Sequence, residues 1–301
     1  MTRPIAYIDR MLEFHADEPP YRWAEPGELP SPAGPPRPAR ESTVVLVSLA
    51  GVRLRAQAPF DLRGDTTIRL VPLDAAPDEL TVDHFGFKVE RAAADVGTVA
   101  PLAALRTLAA DGEIAGLAPA AVSAMGATYS QRRVATELAP AVVEAVREQL
   151  GEAAGGSAGG SAGEVDPAET TAGLALIVPA CPLDHQTAGI VARALEAAGV
   201  RTLVLSGARD ISCRVGAPRT VYLHAPLGWL LGLPGDADGQ RARLAAAVAA
   251  GAELTGAGEL VDLDPAYPTG ATGTPHSSRC PDLADWEARE YTPGYDTGVT
   301  R

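Results

Sequence analysis

Apolar positions first gather without interruption at 42–50, where Ser-Thr-Val-Val-Leu-Val-Ser-Leu-Ala is closed by Gly51. The length and β-branched composition of this run predict a strand buried on both faces. Further on, 102–111 and 119–124 read as short helices. Residues 133–150 carry the apolar stripe of a longer helix, which Pro140 is expected to kink or break. The second half alternates more regularly. Strands are predicted at 174–178, 202–205 and 219–224. Helices are predicted at 186–198, ending at Gly199, and at 240–250, closed by Gly251. Strand–helix–strand order with short connections implies parallel pairing and right-handed crossovers.

Breaks in the pattern suggest the organisation. Residues 1–41 form an extended Pro-rich arm, with Tyr21 and Trp23 as the side chains to pin it. A Gly/Ser/Ala-rich linker covers 151–170 and contains the doubled Gly-Gly-Ser-Ala of 155–162. An irregular tail, 263–301, follows, with Trp286 and Tyr291 as its anchors. The expected fold is α/β: two Rossmann-like domains with mainly parallel sheets, at 42–150 and 171–262, between irregular extensions.

Charge and composition narrow the partners. The formal charge is −13, from 38 acidic and 25 basic residues, so no basic stripe is present to neutralise nucleic-acid phosphates. No apolar run approaches the roughly 20 residues that cross a bilayer. The amino terminus shows no secretory pattern, and a cytoplasmic protein is expected. The three cysteines, Cys181, Cys213 and Cys280, form no Cys-x-x-Cys pair, which argues against a disulfide framework.

Ligands of open parallel sheets gather at the carboxyl ends of the strands. That rule selects the loop Pro179-Ala180-Cys181-Pro182-Leu183-Asp184-His185, the loop Ser206-Gly207-Ala208-Arg209-Asp210, and the loop starting at His224. Cys181 stands between a strand and a helix, where unpaired N–H groups and the helix dipole favour a thiolate. A protonated His185 would support that thiolate, and Asp184 would oppose ionisation or act as an acid. A structural, buried thiol is the competing reading. Cys181, Asp184, His185 and His224 could also ligate a metal, but the tight pairs usual for zinc are missing, and no metal is assigned. Cys213 is a candidate resolving thiol, Cys280 receives no role, and His84 could face the cleft from the first domain. Gly-x-Ser-x-Gly occurs only inside the Gly/Ser/Ala-rich linker, at 155–159 and 159–163, and not between a strand and a helix, and no Gly-x-Gly-x-x-Gly or Walker sequence appears.

The stretch Pro179-Ala180-Cys181-Pro182-Leu183-Asp184-His185-Gln186-Thr187-Ala188-Gly189 resembles the active-site segment of the selenoprotein B family. That family comprises the glycine, sarcosine and betaine reductase B components and a D-proline reductase subunit. Pro59-Phe60-Asp61-Leu62-Arg63-Gly64-Asp65-Thr66, the segments 80–84 and 114–126, Ser206 to Asp210 and Pro226-Leu227-Gly228 are similar to further family elements. The resemblance spans 43–235 and implies a cysteine-containing member, with Cys181 at the place of the catalytic selenocysteine or cysteine. It implies reductive cleavage of a carbon–nitrogen bond, an external thiol reductant and, in some members, a pyruvoyl group on a partner subunit. This chain departs from the pattern at Asp184, where many members carry a second cysteine.

The leading expectation is therefore a reductase-like enzyme or catalytic subunit. Cys181 would attack a small amine or amino-acid-derived substrate, with Asp184 and His185 beside it. His185 or His224 would move the proton. Arg209 would hold a carboxylate, and Ser206, His224, His84 and Gln186 would complete the substrate site. Thiol transfer or C–S bond chemistry in specialised biosynthesis is one alternative, and a non-catalytic substrate-binding subunit is another. A partner subunit or self-association is expected; nucleic acid and membrane are not.

Overall fold

A computed structural model describes Tyr7, Trp23, Ala24 and residues 28–62, 64–154, 173–256 and 258–263. The Gly/Ser/Ala-rich stretch 155–172, Tyr21, Arg63, Cys280, Trp286 and Tyr291 lie outside these residues. The strands are β1 (Thr43–Ser48), β2 (Val52–Leu54), β3 (Ile68–Pro72), β4 (Leu80–Val82), β5 (Gly116–Leu117), β6 (Ala120–Ala124), β7 (Gly173–Val178), β8 (Arg201–Ser206), β9 (Arg219–Leu223) and β10 (Glu259–Leu263). The main helices are α1 (Val89–Ala94), α2 (Leu102–Ala110), α3 (Ala139–Ala153), α4 (Pro182–Ala197), α5 (Arg209–Val215) and α6 (Ala237–Ala252). No described helix is long and apolar enough to cross a membrane.

The architecture is mixed α/β around a mostly parallel sheet of order β10-β9-β8-β7-β1-β6-β3, with β5 beside the start of β1. Only β3, at one edge, runs antiparallel to its neighbour. This sheet draws strands from both halves of the chain, while β2 and β4 pair as a separate two-stranded antiparallel sheet. β1 pairs with β7 along its whole length, from Thr43↔Gly173 to Ser48↔Val178, and with β6 on its other side. The apolar run of β1 reflects this central place: Val45, Val47 and Leu49 enter one core, and Val44 and Leu46 enter the other.

Helices cover both faces. α2 and α6 pack on the Val44 side through Leu105, Leu108 and Leu244, and α3 and α4 pack on the Val45 side through Val142, Val146, Val191 and Leu195. The chain leaving β1 thus crosses one face and the chain leaving β7 crosses the other. A topological switch point results between these two strands, and its crevice opens at their carboxyl ends.

Three local expectations change. Residues 120–124 are strand β6 and not a helix, because pairing with β1 and β3 overrides the helix propensity of an Ala-rich segment. Pro140 does not end the helix: helical backbone runs from Gln131–Arg133 through a π-helical turn at Val134–Leu138 into α3, and that irregular turn directly before the proline accommodates a residue without an N–H. Gly251 lies within α6, not beyond it, and an added Cβ would come within 2.4 Å of Leu203.

Candidate functional site

Cys181 is the N-cap residue of α4, directly beyond β7 at the switch point. Pro182 favours the helix start because its fixed φ suits the first turn. The cap is reciprocal. Cys181 Sγ accepts the Asp184 N–H at 3.4 Å, while Asp184 Oδ2 accepts the N–H groups of Ala180 and Cys181, each at 2.9 Å. The strand exits around this turn are tied together as well. Leu49 N–H bonds to Val178 O, Gly126 N–H to Leu49 O, and the Thr187 hydroxyl to Gly126 O at 2.6 Å.

His84 arrives from the other half of the chain. Its Nε2 lies 3.1 Å from Asp184 Oδ1, and its Nδ1 accepts the Gly86 N–H at 2.9 Å. An acceptor Nδ1 places the ring proton on Nε2, so His84 donates to the carboxylate. The loop that carries it is anchored at Asp83. Arg53 clasps the Asp83 carboxylate through two nitrogens, and the Phe60 N–H adds a third bond. Gly51, at φ +68°, receives the Asp83 N–H on its carbonyl, and an added Cβ would fall 2.0 Å from the Asp83 carbonyl oxygen. Only glycine fits there.

Cys181, Asp184 and His84 are all buried, and Sγ, one carboxylate oxygen of Asp184 and one ring nitrogen of His84 lie within 4.8 Å of one another. A cation could span such a spacing. Ligation through Nε2, however, requires its proton to move to Nδ1, where the Gly86 N–H already points. The loop also closes over the sulfur: a Cβ on Gly86 would lie 2.7 Å from Cys181 Sγ. On the same loop an open cleft of about 700 Å³ is lined by Phe60, Leu62, His84, Phe85, Phe87 and Lys88 among others. Cys181 and Asp184 are not among its walls.

Electrostatics at the sulfur run opposite to the sequence expectation. Burial pushes the Cys181 thiol well above its usual range, and the adjacent Asp184 charge pushes it further. The N–H groups of Asp184 and Leu183 favour the thiolate but are outweighed. Cys181 is therefore a neutral thiol in this conformation, not a standing thiolate.

His185 does not touch the sulfur. Its Nδ1 donates to the Cys181 carbonyl at 2.7 Å, and its Nε2 accepts the N–H groups of Gly207 at 2.9 Å and Ala208 at 3.2 Å. Burial lowers its pKa to about 4. A protonated His185 supporting the thiolate is thus replaced by a neutral ring that laces the α4 turn to the loop after β8.

The other candidates lie apart from this cluster. The Ser206 hydroxyl bonds to that of Ser212 at 2.8 Å and accepts the Ala208 N–H. Gln186 Oε1 accepts the Ala24 N–H at 2.8 Å, tying down the amino-terminal arm. Arg209 is paired with Asp262 at the surface. His224 stands edge-on to Tyr222, with ring centroids 4.6 Å apart. Cys213 is exposed on α5, whereas Cys181 is buried; neither is in a disulfide. The sequence signal for the His84–Asp184 contact is slight, since the two residues are 100 positions apart.

The chain is 29% identical over 228 residues to D-proline reductase subunit gamma of Acetoanaerobium sticklandii, covering 76% of this chain and 86% of that one. No family model and no solved structure matches the chain. The chain is thus similar, at a distance, to one subunit of a multi-subunit reductase, which agrees with the reductase resemblance and supports a reductase-type function in general.

Proposed function

We propose that this chain is the thiol-bearing catalytic subunit of a reductase that cleaves a carbon–nitrogen bond in a small amine or amino-acid-derived substrate. The observation that carries the reading is the placement of Cys181 at the switch point, as N-cap of α4, with two backbone N–H groups aimed at its sulfur. Once ionised, the sulfur attacks the carbon that bears the nitrogen. A C–S bond forms, the C–N bond breaks, and the amine leaves with a proton. An external thiol then attacks the sulfur, the carbon departs as a carbanion and takes a proton, and a second thiol reduces the mixed disulfide. The balance is one C–N bond replaced by C–H and N–H, with two thiols oxidised to a disulfide.

The external thiol is required because Asp184 stands three residues from Cys181 and no second sulfur is at hand: among the described residues, Cys213 is exposed on another helix. An activating pyruvoyl group would belong to a partner subunit. With Gly86 packed on Sγ, this conformation does not admit such a group against the thiol. The same lack of a neighbouring thiol favours a second reading, in which the reaction stops at the C–S bond.

The test is amine cleavage in the presence of a dithiol, with Cys181→Ser alongside. Loss of turnover in the variant, with one dithiol oxidised per amine released, is the expected result. Full turnover by Cys181→Ser would remove the thiol from the mechanism. Turnover without net thiol oxidation would select the C–S reading.

A further inference from the structure

The end of the sheet away from Cys181 holds a positive charge that its neighbours do not balance. Arg201 opens β8, Arg219 opens β9, and Ser42 stands directly before β1, so all three lie at the amino ends of the strands. Both arginines are buried, at 1% and 0% exposure. Arg219 is fully engaged: Nε donates to Leu254 O, Nη2 to the carbonyls of Gly34 and Thr255, and Nη1 to Glu196. The buried carboxylate here, Glu196, is engaged as well. Besides Arg219 it accepts the Thr202 N–H and hydroxyl and the Ala33 N–H. Arg201 is left with one long bond, Nη1 to Ser42 Oγ at 3.4 Å, and its buried Nε has no hydrogen-bond partner among the described residues. Burial, Arg219 and the half-buried Arg37 lower the Arg201 pKa to about 10, so it is still a cation at neutral pH. Buried cations are ordinarily paired, because leaving one without a counter-ion is costly.

We propose that Arg201, together with Arg37, binds a small oxyanion, phosphate or a carboxylate, at the amino ends of β1 and β8. The Nε–Nη2 edge of a guanidinium takes two oxygens of such a group at once, as Arg53 does here for the Asp83 carboxylate. On Arg201 that edge carries no hydrogen bond among the described residues, since its bond to Ser42 uses Nη1. The anion enters along Arg37 and leaves the bonds of Ala33 and Gly34 in place. Once bound, it offsets the repulsion among the three arginines and fastens the amino-terminal arm, through Arg37, to the sheet, through Arg201. The site is remote from the crevice at the carboxyl ends of the strands and does not depend on the reading of Cys181.

The experiment follows thermal unfolding of the full chain in sodium phosphate, sodium acetate and sodium chloride at equal ionic strength. Phosphate or acetate, at several times its Kd, is expected to raise the wild-type Tm by about 2–4 °C over chloride. Whichever of the two acts identifies the oxyanion. Arg201→Met should lose that rise. In chloride it should melt no lower than wild type, because it removes an unpaired buried charge. Equal wild-type Tm in the three salts overturns the proposal. An equal rise in wild type and Arg201→Met, the mark of a general salt effect, overturns it too. Should Arg201→Met fail to fold, Arg37→Gln, at a half-buried position, decides. It is expected to lose at least half of the rise, and an undiminished rise overturns the proposal.

Discussion

At the scale of single residues, the chemistry turns on how a charge and a sulfur share one helical turn. The location of Cys181 is legible in the sequence, because it falls between an apolar strand pattern and a helical one, with Pro182 suited to the first helical turn. Its protonation state is not legible, because the helix end and the Asp184 charge pull in opposite directions and burial decides between them. Wild-type Cys181 should therefore alkylate more slowly at pH 7 than a free cysteine, which has a pKa of about 8.5, and should accelerate through a midpoint above that value. Parallel measurement on a cysteine-containing peptide checks this. The contact of Gly86 with the sulfur gives a second expectation. Gly86→Ala places a methyl group 2.7 Å from Sγ and should cost about 1–3 kcal/mol by overpacking, read as a lower urea midpoint.

Among the elements, α4 and the loop after β8 are coupled through His185. An unfolded histidine titrates near 6.5, but the buried ring resists protonation down to about 4. Stability is thus fully present above pH 6.5 and is lost as pH falls toward 4, by roughly 3 kcal/mol once both states titrate. Urea unfolding at pH 7.5 and pH 5 measures the trend, and His185→Asn should flatten it. The elements themselves were readable where the pattern is long. β1, β7, β8 and β9, and α4 with Gly199 behind it, fall where strand and helix periodicities place them. β6 escapes that reading because Ala-Ala-Val-Ser-Ala has no strand character of its own, and its conformation comes from neighbours distant in sequence. The His84 loop escapes for a related reason. Its position depends on Gly51 and Arg53 gripping Asp83, a tertiary arrangement that no local periodicity records.

For the molecule as a whole, the arm is joined to α4 near the Cys181 turn through Gln186 and again at the opposite end of that helix through Glu196. Glu196, buried on α4, accepts the Ala33 N–H from the arm and the backbone and hydroxyl of Thr202, and it pairs with the buried Arg219. Arg201, also buried, packs near the same group and is lowered to about 10 by burial and by Arg219. Glu196→Gln leaves these cations uncompensated and should cost about 3–5 kcal/mol, with faster proteolysis of the arm. The pairing of β1 with β7 is the feature that makes one site from two halves, since it sets the exit of one strand beside the other and brings His84 to Asp184. Whether the sulfur at this junction bonds covalently to the substrate carbon is read by trapping. Candidate amines are incubated with the protein without reducing thiol, and the Cys181 peptide is then weighed. The expected product is a thioether on Cys181 carrying the substrate carbon skeleton without its amine nitrogen, absent from Cys181→Ser. Amine release that proceeds with an unmodified Cys181, or equally well in the variant, would contradict it.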